Sequence, residues 1–267
     1  MRPDLDTEFF DLPLPRIIAH RGASGEYPEN TIAAFRAAAE AGAPYFELDV
    51  HMARDGEIVV MHDPELRRTT GREGTIPEMT FAELREADAG YNFSAGADGR
   101  FPFRGAGIKV PALAELFAAF PTHRFIVEIK QTTPSLVPAL IETIDRGAMR
   151  RRVLIASEHQ APMDEVRALA PGLPTNFSSL EVGSLMLSLA PGAAAHVPKG
   201  DALQVPPEHH SWKLITAESV AAAHRCGVEL HAWTINDPAE TRALLELGVD
   251  GIISDYPARL IEVVRSR

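Results

Sequence analysis

The sequence has almost no cysteine. Cys226 stands alone among 267 residues, so an internal disulfide is impossible. It lacks any apolar run near the roughly 20 residues needed to span a bilayer. It carries neither a glycine-rich dinucleotide fingerprint nor a phosphate-binding P-loop, which weakens a doubly wound nucleotide-binding fold. Positive charge is also short. Lysine and arginine number 26 against 37 aspartates and glutamates, giving a formal charge of −11 and a pI near 5.4. An acidic surface argues against nucleic acid as a partner and against docking on anionic membranes. An anionic substrate then requires a local positive centre, which a bound cation would supply. The opening Met1-Arg2-Pro3-Asp4-Leu5-Asp6 is too polar and acidic for a signal peptide. The expectation is a soluble cytoplasmic protein without a stable membrane anchor. Its oligomeric state is not legible.

Hydrophobic residues make up 45% of the chain, enough for one packed core. With no internal repeat, low-complexity tract or linker, residues 1–267 read as one domain. Short β-like runs alternate with helical patterns, the rhythm of a parallel sheet. Eight parallel strands are expected: Arg16–His20, Tyr45–Val50, Arg124–Lys130, Val153–Ser157, Thr175–Ser178, Ala202–Val205, Glu229–Ile235 and Gly251–Ser254. Helices are expected at Thr31–Ala41, Leu113–Phe120, Ser135–Arg146, Ala161–Ala170, Ala217–Cys226, Ala239–Leu247 and Ala258–Arg265, with a weaker pattern at Glu181–Leu189. Asn30 or Thr31 caps the first helix and Gly42 follows it; Thr216 and Gly227 flank the one at Ala217–Cys226. Eight βα units in a chain of this length favour a TIM (β/α)8 barrel.

The apolar run Glu57–His62 breaks the alternation, because only Arg54-Asp55-Gly56 separates it from the second strand. That gap is too short for a parallel crossover, and Asp55-Gly56 is a hairpin signal. Centring the turn there makes residues whose numbers sum to about 111 face each other. Val50 then opposes Met61 and Asp49 opposes His62. Residues from Pro64 to about Val110, rich in Gly, Pro and charge, read as an insertion with a small amphipathic piece at Phe81–Ala87.

His20, Arg21, Glu47, Asp49, His62 and Asp63 thus collect at the ends of three short apolar runs. In α/β proteins, strand ends hold polar groups over a crevice. Two histidines for proton transfer, carboxylates for a hard cation and an arginine for an anion are the parts of metal-assisted phosphate chemistry.

Together with further motifs, these residues resemble the bacterial glycerophosphodiester phosphodiesterases, a TIM-barrel family. The matching elements are His20-Arg21-Gly22, Pro28-Glu29-Asn30-Thr31, Glu47-x-Asp49, Asp55-Gly56 and His62-Asp63. Glu128-x-Lys130, Trp233-Thr234-x-Asn236 and Gly251-Ile252-Ile253-Ser254-Asp255 extend the match across nearly the whole chain. The resemblance implies hydrolysis of a glycerophosphodiester to sn-glycerol 3-phosphate and an alcohol. It implies Glu47, Asp49 and Glu128 as ligands of Mg2+ or Ca2+, with Glu47 and Asp49 sharing one strand face. It implies His20 and His62 as the acid/base pair, with each role open, and either water or the glycerol 2-hydroxyl as nucleophile.

Arg21 and Lys130 are expected on the phosphate and Trp233 against the glycerol or headgroup. Glu29 is read either as a partner of Arg21 or as an edge ligand of the metal. Asn30 and Thr31 read as a helix cap, Asp255 as part of a turn, and the other eight histidines as surface or packing residues. The insertion leaves directly from His62-Asp63, so it is expected to set substrate selectivity, with Leu180–Gly200 as the second candidate. Rival readings are a lysophospholipase D whose Leu185-Met186-Leu187 cradles an acyl chain, a non-catalytic phosphometabolite binder, and an unrelated metal-dependent isomerase barrel.

Overall fold

The computed structural model describes residue 5, residues 7–94, residue 96 and residues 99–266. Seven parallel strands curl into a barrel: β1 (Arg16–His20), β2 (Tyr45–Met52), β4 (Arg124–Ile129), β5 (Val153–Ala156), β6 (Ala202–Val205), β9 (Glu229–Ala232) and β10 (Gly251–Ser254). Their order is β5-β4-β2-β1-β10-β9-β6. The remaining gap is closed by Thr175, which bridges Ile155 of β5, and Asn176, which bridges Ala202 of β6. The expected strand at Thr175–Ser178 is therefore two bridges long. Pro174 supplies no N–H at its start, and the Ser178 side chain caps the next helix by accepting from the Glu181 N–H.

Helices α1 (Ile32–Ala41), α4 (Leu113–Ala119), α5 (Val137–Arg146), α6 (Gln160–Leu169), α7 (Ser179–Ser188), α8 (Ala217–Arg225), α9 (Pro238–Leu247) and α10 (Pro257–Arg265) make up the helical layer. Their ends follow local chemistry. Thr31 caps α1 through the Ala34 N–H, and Gly42 closes it in the left-handed region at φ 98°. The weak pattern at Glu181–Leu189 is the full helix α7, opened by a capping box between Ser178 and Glu181.

Alternation along the strands decides what faces the barrel axis. Ile18, Tyr45, Ile126 and Leu154 pack together inside, with Phe9 and Phe10 of the N-terminal segment plugging the lower end. Two residues further up the same strand faces come His20, Glu47, Glu128 and Ala156, and two beyond those Asp49 and Lys130. The inward faces of β1, β2 and β4 are thus polar at the top. Burying the two phenylalanines contributes about 1.5–3 kcal/mol each.

The hairpin is present, with β3 (Ile58–Val60) antiparallel to β2, but its register is one residue away from that expected. Val50 pairs with Val60, not Met61. The turn is a three-residue loop, Arg54-Asp55-Gly56, closed by the Ala53 N–H donating to the Glu57 carbonyl, with Gly56 left-handed at φ 87°. A slip of one residue exchanges faces. Asp49 consequently lies across from Met61, whose N–H donates to the Asp49 carbonyl at 3.0 Å. His62 stands just beyond the hairpin, held by the buried ring of His51, whose Nε2 lies 3.0 Å from the His62 carbonyl oxygen.

The segment after the hairpin has its own small core of Leu66, Ile76, Leu84 and Val110, packed on Val59 and Met61. It carries the short helices α2 (Arg67–Thr70) and α3 (Phe81–Leu84). A two-stranded ribbon, β7 (Glu208–His209) with β8 (Trp212–Lys213), rises after β6 and has no counterpart in the sequence expectations. Among the described residues, no helix is long and apolar enough to cross a membrane.

Candidate active site

The ends of β1, β2 and β4 converge at the barrel mouth. One carboxylate oxygen each from Glu47, Asp49 and Glu128 lies within 4.8 Å of the others. Three negative charges this close repel one another, and their surroundings separate them. Burial raises the Glu47 pKa, and Asp49 raises it further. Burial also raises that of Glu128, against the pull of Lys130. Asp49 moves the other way: burial opposes its charge, but Arg21 and Lys130 outweigh it and keep the carboxylate ionised.

These two cations flank Asp49. Arg21 Nε is 3.1 Å from Oδ2, and Lys130 Nζ is 3.3 Å from Oδ1 and 2.7 Å from Glu128. For Lys130, burial works against the charge, yet Glu128 and Asp49 hold the ammonium up to about 12. Asn30, expected as a cap, instead donates from Nδ2 to Asp49 Oδ2 at 2.8 Å, with a left-handed backbone at φ 57°. Asp49 Oδ1 is buried and, beside its ion pair with Lys130, accepts no hydrogen bond among the described residues. An all-oxygen donor set with a spare lone pair fits a hard divalent cation.

His20 and His62 are each held at Nδ1 by a carboxylate. His20 Nδ1 lies 2.7 Å from Asp255 Oδ1, and its Nε2 is 3.9 Å from Glu47. His62 Nδ1 lies 2.6 Å from Asp63 Oδ1. Fixing Nδ1 leaves Nε2 as the nitrogen available to the cavity and sets the tautomer. Burial disfavours the charged His20 ring, but Asp255 and Glu47 more than offset this and raise its pKa. Asp255 is therefore a site residue, not only part of a turn. Burial opposes its ionisation, but hydrogen bonds from His20, Asn236 and Ser24 bring it down to about 2. Its mark in the sequence was its place at the end of the motif Gly251-Ile252-Ile253-Ser254-Asp255. Glu29, left open between two roles, pairs with Arg21 at 3.0 Å and with Arg68, outside the carboxylate trio.

A cavity of about 820 Å3 opens above these groups. His20, Arg21, Glu47, His62, Glu128 and Lys130 line one side. Phe177, Val182, Met186, Leu187, Trp212 and Leu214 line another, with Trp233 between them and the barrel core. Among the described residues, none from 64–110 lines the cavity. The expectation that this insertion walls the substrate is thus corrected: the packing of Leu66, Ile76 and Leu84 turns the segment back onto the hairpin. Of the run Leu185-Met186-Leu187, Leu185 points into the core at 1% exposure, while the next two face the cavity.

Comparison with known proteins agrees with this geometry. The model of the glycerophosphoryl diester phosphodiesterase family matches residues 20–259. A glycerophosphodiester phosphodiesterase of Caldanaerobacter subterraneus is 33% identical over 258 residues, covering 93% of this chain and 97% of that protein. A mouse lysophospholipase D is 24% identical over 92% of this chain and 85% of its own. Among solved structures, an Oleispira antarctica phosphodiesterase in complex with the product sn-glycerol-3-phosphate superposes with a TM-score of 0.77. It is 25% identical and covers 94% of this chain and 97% of that one. A match running from the His20 dyad to the start of the last helix leaves one assignment: the chain belongs to the glycerophosphoryl diester phosphodiesterase family.

Proposed function

We propose that this protein hydrolyses glycerophosphodiesters to sn-glycerol 3-phosphate and an alcohol, using a divalent cation held by Glu47, Asp49 and Glu128. The observation that carries this reading is the pair of histidine–carboxylate dyads, His20–Asp255 and His62–Asp63, beside one carboxylate trio. A cation there would withdraw charge from the non-bridging phosphate oxygens. Arg21 and Lys130 bind the same phosphate as cationic donors. One histidine takes the proton of the attacking hydroxyl at Nε2 and the other gives a proton to the departing alkoxide. In-line displacement requires the two to act on opposite sides of phosphorus. A mere binder of phosphometabolites needs no such pair. The test is turnover of glycerophosphocholine: His20→Ala and His62→Ala should each abolish most of it while phosphate binding persists. Normal turnover in either would end this assignment.

A second substrate reading is favoured by the apolar wall of Val182, Met186, Leu187 and Leu214. Bare glycerol and choline offer such a wall little to cover. A lysophospholipid, with one acyl chain on the glycerol, would lay that chain on it, and the product would be an acylglycerol 3-phosphate. Lysophosphatidylcholine and glycerophosphocholine share the choline leaving group, so their relative kcat/KM isolates the wall. A ratio far below one would exclude the lysolipid.

A further inference from the structure

Arg68 lies on α2, in the segment of which no described residue lines the cavity. Its guanidinium nevertheless reaches both halves of the charged side. NH1 and NH2 fork onto the two carboxylate oxygens of Glu29 at 2.8 and 2.7 Å. Nε donates to Asp63 Oδ2, on the far oxygen from the one that holds His62 Nδ1. Glu29 in turn accepts from Arg21 NH1 at 3.0 Å. A continuous chain results: His62, Asp63, Arg68, Glu29, Arg21, Asp49.

We propose that Arg68 is a positioning residue that locks the His62 dyad and the phosphate-binding Arg21 into one arrangement, which would make the segment 64–110 part of the catalytic machinery rather than a wall for substrate. The inference rests on the assignment of His62 and Arg21 above. Three features support it. Asp63 is itself half-surface, so without Arg68 its carboxylate is free to turn away from His62. Glu29 shares its charge between two guanidiniums; losing one leaves it wholly on Arg21, in competition with the phosphate. Finally, only a planar fork satisfies both oxygens of Glu29 while Nε serves Asp63; a lysine ammonium cannot. The side chain of its neighbour Arg67 pairs with Glu73, both of them exposed, and so provides the control.

The experiment is steady-state turnover of glycerophosphocholine by the full-length protein, with melting temperatures measured alongside. Arg68→Ala and Arg68→Lys should each lose about 10–100-fold in kcat, the usual cost of removing an outer partner of an active-site group. Arg67→Ala should stay within about twofold. The double variant Asp63→Asn with Arg68→Ala should fall little below the worse single variant, because the two act through one contact. Added guanidinium ion should restore part of the Arg68→Ala loss and none in Arg68→Lys.

Arg68→Ala at wild-type kcat would overturn the proposal, as would losses that multiply in the double variant. Full recovery of kcat by Arg68→Lys would also overturn it, because charge alone would then suffice. His62→Ala separates the two levels. Normal turnover there refutes the acid/base assignment; a collapse there alongside normal Arg68→Ala refutes only the clamp.

Discussion

Two parts of the barrel rim differ in what they bring to the cavity. Segment 64–110 leaves after His62 and Asp63, folds over its own core and returns one guanidinium to the charged groups. Helix α7 and the β7–β8 ribbon with Leu214 after it present Met186, Leu187, Trp212 and Leu214 to the cavity. On the proposed assignment, the first acts on what every candidate substrate shares, through the groups assigned to the phosphate, and the second on what differs between substrates. Position next to the catalytic residues in sequence therefore does not make a segment a specificity wall; the direction in which its side chains pack does.

The sharpest test of this division begins with the floor common to both. Glu47→Gln should lower kcat by about 10³-fold or more, because a bound cation supplies several kcal/mol of charge stabilisation. Chelation of the wild type should do the same, with Mg2+ or Ca2+ restoring it. The loss should be equal for glycerophosphocholine and lysophosphatidylcholine. Full activity in metal-free protein would remove the floor from the comparison.

Next in size, His20→Ala and His62→Ala should each cost about 10²–10⁴-fold in kcat. Removing both should cost less than the product, since they serve one transition state. Here too the ratio between the two choline esters should not move. A ratio that shifts with His62 would mean that the hairpin end also contacts the acyl chain.

A smaller effect is expected on the apolar side. Met186→Ser with Leu187→Ser should change the ratio of kcat/KM for lysophosphatidylcholine to that for glycerophosphocholine by about tenfold, as roughly 1–3 kcal/mol of pocket contact allows. Arg68→Ala should leave that ratio within about twofold. If Arg68→Ala moves the ratio and the serine pair does not, the two segments have exchanged roles.

A stability measurement, with no expected effect on catalysis at the charged groups, separates two residues of α7. Leu185 is 1% exposed and Leu187 73%. Leu185→Ala should destabilise the protein by about 2–5 kcal/mol. Leu187→Ala should stay within about 0.5 kcal/mol. Denaturant unfolding of both would show whether this helix divides its face between core and cavity. Equal losses would place Leu187 in the core.

Periodicity and spacing determined much of this protein. Alternation in Tyr45–Asp49 and Arg124–Lys130 put the carboxylates on the inward faces of adjacent strands, since successive side chains on a strand point to opposite sides. The short gap Arg54-Asp55-Gly56 required a hairpin, because no parallel crossover fits there. Motifs spread from His20 to Asp255 indicated the family.

Only the tertiary structure decided the rest. The hairpin register depended on whether the turn held two residues or three, which the sequence Asp55-Gly56 leaves open. Asn30 resembled a cap and Asp255 a turn residue because both are local motifs, while their partners Asp49 and His20 lie 19 and 235 residues away. His51 carried no pattern at all, yet it fixes the His62 backbone. Arg68 belongs to none of the motifs in the sequence. Its reach to Glu29 and Asp63 appears only once Leu66, Ile76 and Leu84 have packed the segment onto the hairpin. Local sequence sets φ, ψ and which face is apolar; long-range packing alone sets which charged groups meet.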